Sequence, residues 1–167
     1  GKGGGEIHGV PVFDSVEEAW ESAGQIDISV IFVPAFLVKN AALEAIDAGV
    51  KLLVLVPDRV PIFDVLEIIR LARDKGARFV GPNTLGLVSP GKAVLGMIGG
   101  RAERAKEWFR PGDIGVSSRS GGMTSAISYY LTEEGFGQST IIHVGGDAIL
   151  GLSHPEIMEL FEQDGET

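Results

Sequence analysis

The sequence predicts an α/β fold built on a parallel sheet. Short apolar, β-branched runs alternate with longer amphipathic stretches. Glycine or proline punctuates most of the junctions between them. No apolar run approaches the roughly 20 residues needed to cross a bilayer.

The elements follow in order. Ser15 with Glu18 three residues on is a capping-box pattern, and it starts a short helix through Trp20 to about Ser22. Residues 28–33 form a continuous apolar run, expected as a strand buried on both faces. Residues 36–48 have helical spacing, and Gly49 is a natural stop. Residues 51–56 are the next buried strand, ended by Pro57. Residues 62–75 are an amphipathic helix that stops at Gly76. Residues 78–80 are a third strand, running into Gly81-Pro82-Asn83. This alternation predicts right-handed βαβ units.

Residues 91–100 are glycine-rich and predict short irregular strands, and residues 101–109 a helix. The turn at Arg110-Pro-Gly-Asp113 is the expected domain boundary, dividing 1–110 from 111–167. A second set follows: strand 114–117, helix 123–134, strand 140–144 and helix 155–161. Pro155 suits a first helical turn. There is no fixed-period repeat.

The 167 residues suffice for one core or two small domains. Lysine and arginine total 14 against 23 acidic residues, a net charge of −9. That balance argues against nucleic acid. It leaves room for a small phosphorylated ligand, which backbone N–H groups bind locally. With no cysteine there is no disulfide, thiol nucleophile or Cys-type zinc site, and an intracellular enzyme is the plain reading. The chain opens on Gly1-Lys2-Gly3-Gly4-Gly5 without a leader and ends abruptly on Gln163-Asp164-Gly165-Glu166-Thr167. Both ends read as cut.

Ligands of parallel sheets bind beyond the carboxyl ends of the strands. Four such ends carry glycine, proline or polar clusters: residues 33–35, 56–58, 81–84 and 117–122. Each is a turn or a ligand loop by composition; four on one edge favour a ligand. Ser118-Arg-Ser-Gly-Gly122 is the most specific. A strand enters it, and Met123, Ala126, Ile127, Tyr130 and Leu131 mark a helix face after it. Free N–H groups, hydroxyls and the positive helix end there make a phosphate cradle. The loop is neither the esterase elbow nor a Walker A loop. On residue chemistry alone Lys2 reads as a solvated loop charge. His8, His143 and His154 share no metal-ligand spacing and read as structural or solvent-facing; no metal site is expected. Gly145-Gly146-Asp147 is a turn or a ligand loop.

These segments, in this order, resemble the α subunit of succinyl-CoA synthetase and its relatives over nearly the whole chain. The matching stretches are Gly1-Lys-Gly-Gly4, Gly9-Val-Pro-Val-Phe13, Val30-Ile-Phe-Val-Pro-Ala35, Glu44-Ala-Ile-Asp-Ala-Gly49, Gly81-Pro-Asn83, Ser118-Arg-Ser-Gly121, Gly135-Phe-Gly-Gln-Ser-Thr140 and Gly145-Gly-Asp147. The resemblance implies a Rossmann-like CoA-binding domain lacking its first strand, then the start of a flavodoxin-like α/β ligase domain. It implies an acid-CoA ligase in which a nucleoside triphosphate phosphorylates a histidine. The phosphoryl group passes to a carboxylic acid, and CoA displaces phosphate from the acyl phosphate. Its cofactors would be CoA, with ATP or GTP and Mg²⁺ held by a β subunit of ATP-grasp fold. Location would be the cytoplasm, or the mitochondrial matrix in a eukaryote, within the tricarboxylic acid cycle.

By this resemblance Lys2, Val56, Pro57, Asp58, Asn83 and Thr84 would contact CoA. Ser120, Gly121 and Gly122 would receive the phosphoryl group, and Ser125 would lie beside the acid. The family's Gly-His-Ala-Gly segment is not in this sequence, so no catalytic residue is assigned and the chain alone is expected to be inactive. Pro57-Asp58-Arg59 replaces the usual Thr-Glu-Gly, and Arg59 is either a partner for a CoA phosphate or a surface charge. Thr84 stands where cysteine is common. Ser125 replaces a tyrosine, and residues 110–112 with 118–123 are closer to ATP citrate lyase; both point to a bulkier acid than succinate. Two other readings remain: a CoA-binding regulatory module without catalysis, and a nicotinamide-dependent oxidoreductase, whose Gly-x-Gly-x-x-Gly loop is not seen here.

Overall fold

The computed structural model describes residues 3–167. It opens with a hairpin that the apolar pattern does not predict, β1 (Glu6–Ile7) against β2 (Val10–Pro11). Helix α1 (Val16–Ala23) follows. Ser15 Oγ accepts the Glu18 N–H at 3.1 Å, as expected of its N-cap. The Glu18 carboxylate takes the N–H of Asp14 at 2.9 Å, so the capping box is displaced by one residue.

Strands β3 (Ile28–Ile31), β4 (Leu52–Leu55) and β5 (Arg78–Val80) form a parallel sheet in that order. A 3₁₀ turn at Ala35–Leu37 leads into α2 (Val38–Asp47), and α3 is Ile62–Lys75. The apolar faces of both helices cover the sheet, with Val38, Ala42, Ile46, Val65 and Ile68 buried against Leu53, Leu55 and Phe79. Lys39 bridges Asp64 at 3.0 Å and Glu67 at 3.4 Å, joining the two helices. One expectation is corrected here. The strand from residue 28 is not buried on both faces: Ile28 is 38% exposed. Among the described residues β3 pairs only with β4, so edge position overrides its apolar composition.

The glycine-rich region is more regular than expected. Strands β6 (Gly86–Ser89) and β7 (Ala93–Gly96) make an antiparallel hairpin, closed by the Lys92 N–H on the Ser89 carbonyl at 3.0 Å. Then come α4 (Ala102–Trp108), β8 (Pro111–Ser118), α5 (Gly121–Glu133), β9 (Gln138–His143) and α6 (His154–Gln163). The second sheet has the order β7-β6-β9-β8, with β8 and β9 parallel and β6 antiparallel to β9. This sheet joins residues from both sides of the turn at Arg110. Two smaller cores flank it. Val88, Ile98, Phe109, Val116 and Ile141 form one. Val80 of the first sheet meets Ile142, Val144, Leu152 and Ile157 in the other.

Candidate functional site

The carboxyl ends of β4, β5, β8 and β9 meet in one hydrogen-bonded rim. The Asn83 N–H donates to Pro57 O at 2.7 Å, and the Gly146 N–H to Asn83 O at 2.9 Å. The Gly81 N–H donates to Val144 O at 2.9 Å, and the Val144 N–H to Ser118 O at 2.9 Å. The loops at 56–59, 81–84, 118–122 and 144–147 are therefore neighbours, although the sequence separates them widely. Gly145-Gly146-Asp147, left open between turn and ligand loop, is part of this rim.

Side chains lock the rim. Arg119 donates from Nε to Gly145 O at 3.3 Å, and from one terminal nitrogen to Gly146 O at 3.4 Å and Asp147 O at 2.6 Å. His143 is buried, 4% exposed. Its Nδ1 accepts the Leu85 N–H at 2.8 Å and its Nε2 donates to Arg119 O at 3.0 Å. Both ring nitrogens are thus satisfied in the neutral form, which makes His143 a structural strut. Thr84 is buried too, with its hydroxyl donating to His143 O and accepting the Gly86 N–H at 2.9 Å. Its side chain holds the loop rather than facing solvent. Sequence reasoning gave Arg119 no role of its own and left His143 between structural and solvent-facing. Their partners lie far along the chain, and no local motif announces them.

Burial pushes the His143 imidazole below its ordinary value of 6.5, and the Arg119 carbonyl offsets part of that. An unfolded histidine takes up a proton near 6.5, while the folded one resists. Stability therefore falls as pH drops below that value, by at most about 1.4 kcal/mol per pH unit for one proton. Urea unfolding of wild type and His143→Gln between pH 7.5 and 5.5 checks this. The wild-type advantage is expected to shrink steadily toward pH 5.5; parallel curves would refute it.

The segment expected to hold phosphate is the start of α5. Ser120 is the N-cap of α5, its Oγ accepting the Met123 N–H at 3.4 Å. Ser118 Oγ accepts the Ser120 N–H at 3.1 Å and fixes the approach. Gly121 and Gly122 hold the first two helical positions, where N–H groups have no acceptor within the helix. A side chain at Gly122 would meet nothing within 4 Å, so that helix start is open to a ligand.

The other expected site residues fall as follows. Val56 and Pro57 are half-buried in the rim and Asp58 is exposed, paired with Arg59 at 2.9 Å. Asn83 is half-buried with a φ of 57°. Ser125 is one turn into α5, its Oγ bonded back to Gly121 O at 3.3 Å. With Gly122 it lines a cleft of about 420 Å³ whose walls include Trp108, Tyr129 and Tyr130. The expectation for Lys2 lies outside the described residues. Among those residues no cluster of His, Asp and Glu could hold a metal ion, and no helix is long and apolar enough to cross a membrane.

A rim of parallel-strand ends beside an open helix start is where open α/β sheets take their ligands. Residues 1–58 match the family described as CoA binding domain. Over its whole length the chain is 45% identical to the α 2 subunit of an ADP-forming succinate–CoA ligase of Archaeoglobus fulgidus, covering 56% of that protein. It is 37% identical over its whole length to a subunit of an ADP-forming sulfoacetate–CoA ligase of an Acholeplasma species, covering 55%. The chain is similar over its whole length to succinate–CoA ligase α subunits and spans about half the length of the relatives it matches. Its fold matches the structure of ATP citrate lyase from Methanothrix soehngenii in complex with citrate and coenzyme A, with a TM-score of 0.85. That match has 21% identity and covers 93% of this chain and 26% of that one.

Proposed function

We propose that this chain is the CoA-holding part of the α subunit of a nucleotide-dependent acid-CoA ligase, with residues 1–110 as the CoA-binding domain and 111–167 as the start of the ligase domain. The observation that carries this reading is the rim itself. It brings Val56, Pro57, Asp58 and Asn83 beside the open start of α5 through bonds between loops. CoA would lie along the rim, with Lys2 and the loop of Thr84 contributing. A phosphoryl group would sit at Ser120, Gly121 and Gly122, where the hydroxyl and unpaired N–H groups stabilise negative charge without reorganising. When bound, CoA supplies the thiol that takes the acyl group. ATP or GTP with Mg²⁺ would be held by a β subunit of ATP-grasp fold, and the phosphorylated histidine lies outside this chain. The cytoplasm is the proposed location.

Ser125 favours a second reading of the acid. A serine on the wall of an aromatic-lined cleft leaves more room than a tyrosine would. A branched, aryl or citrate-like acid therefore suits the site better than succinate. The test is a panel of acids offered to the α subunit assembled with its partner, CoA, Mg²⁺ and ATP or GTP, reading thioester formation. A bulkier acid is expected to outrun succinate. Succinate as the best substrate would overturn the reading of Ser125. CoA binding without thioester from any acid would point to a regulatory module instead.

A further inference from the structure

Arg59 is the residue of the rim that the fold does not account for. Its φ is 56°, in the left-handed region where residues other than glycine are strained. Its side chain is 88% exposed, so burial does not compensate that strain. Its polar contact among the described residues is a single bond from Nε to Asp58 Oδ2 at 2.9 Å. Backbone strain persists where something else holds it, and such outliers gather at ligand clamps.

Charge narrows what the clamp would hold. The chain carries a net −9, and Asp58 and Asp147 both stand on the rim. A polyanion bound there needs cations. The rim's other arginine, Arg119, has its Nε and one terminal nitrogen turned to the carbonyls of residues 145–147. Among the described residues Arg59 is the rim cation whose terminal guanidinium nitrogens have no partner. A guanidinium presents paired N–H donors that match phosphate oxygens, and it stays charged at any working pH. Arg59 also lines, with Val60 and Ile62, a cleft of about 190 Å³ facing Asp147 and Ile149. That places it at the mouth of the rim, one residue beyond Asp58.

We propose that Arg59 binds a phosphate group of CoA. The inference rests on the CoA reading above and adds to it a side chain that takes part in recognising the ligand's charge. The test is calorimetric titration of the assembled enzyme with CoA and with dephospho-CoA, using wild type, Arg59→Gly and Arg59→Lys. Glycine is unstrained at this φ, so Arg59→Gly should unfold at the same temperature as wild type or higher. Its CoA affinity should nonetheless fall about tenfold, since charge-assisted bonds are the strong ones. Arg59→Lys should recover part of that loss. A loss confined to CoA assigns the contact to the 3′-phosphate; an equal loss for both ligands assigns it to the diphosphate. Unchanged CoA affinity in Arg59→Gly would overturn this inference alone. Failure of the wild-type enzyme to bind CoA would overturn it together with the proposed function.

Discussion

Replacing Gly122 by aspartate is expected to suppress phosphoryl transfer by the assembled enzyme at least about 100-fold while leaving the fold as stable as before, or more so. Three facts set the direction. The added side chain would meet nothing within 4 Å, so it fits without rearrangement. Position two of α5 is where a carboxylate favours the helix, by about 0.3–1 kcal/mol. Aspartate also costs a helix less than glycine does. The same carboxylate stands where an incoming phosphoryl group would place its charge. Two unit charges about 4 Å apart repel by about 4 kcal/mol at an effective dielectric constant of about 20, so a 100-fold loss is a modest expectation. Gly122→Asn, of similar size and no charge, should lose far less. Thermal unfolding and steady-state turnover of the three proteins, measured side by side, check this. Full activity in Gly122→Asp would remove the helix start from the mechanism.

Gly145→Ala is expected to cost about 3 kcal/mol or more of stability and to abolish CoA binding with it. The methyl carbon would lie 2.4 Å from the Pro82 carbonyl oxygen and 2.7 Å from Leu150, and the φ of 129° already excludes a side chain at ordinary cost. Left-handed strain contributes about 1–3 kcal/mol, and overpacking a close contact about as much again. The contact cannot relax cheaply because the loop is held on both sides. Val144 N–H is bonded to Ser118 O, Gly146 N–H to Asn83 O, and Arg119 grips the carbonyls between. Movement at Gly145 therefore reaches every loop of the rim. Urea unfolding gives the stability change and calorimetry the CoA affinity. A variant as stable as wild type would show that the rim is looser than its hydrogen bonds imply.

Much of this was legible in the sequence because local chemistry is short-ranged. Helix α3 runs from Ile62 to Lys75, as its apolar spacing predicts, and β5 from Arg78 to Val80. Helix α5, expected from residue 123, starts two residues earlier at Gly121, because Ser120 caps it. Errors arose where the environment outweighed composition. The run from Ile28 looks like a central strand but stands at an edge. Residues 91–100 look irregular because glycine is common there, yet Ala93–Gly96 pairs with β6 in a regular hairpin whose other edge meets β9.

The sequence by itself determined the order and type of most elements and, through its matching segments, the likeness to succinate–CoA ligase α subunits. Periodicity and capping depend on residues a few positions apart, so a linear reading reaches them. Only the tertiary structure decided that the strand-end loops share one rim. It buried Thr84 and His143 as struts, turned Arg119 onto the loop at Gly145, and left Arg59 exposed and strained at the mouth. The contacts responsible join residues 24 to 63 positions apart. Such bonds form because burial leaves a polar group no water to turn to. Which partner it finds depends on how the two sheets pack, and no residue pattern on either side specifies that.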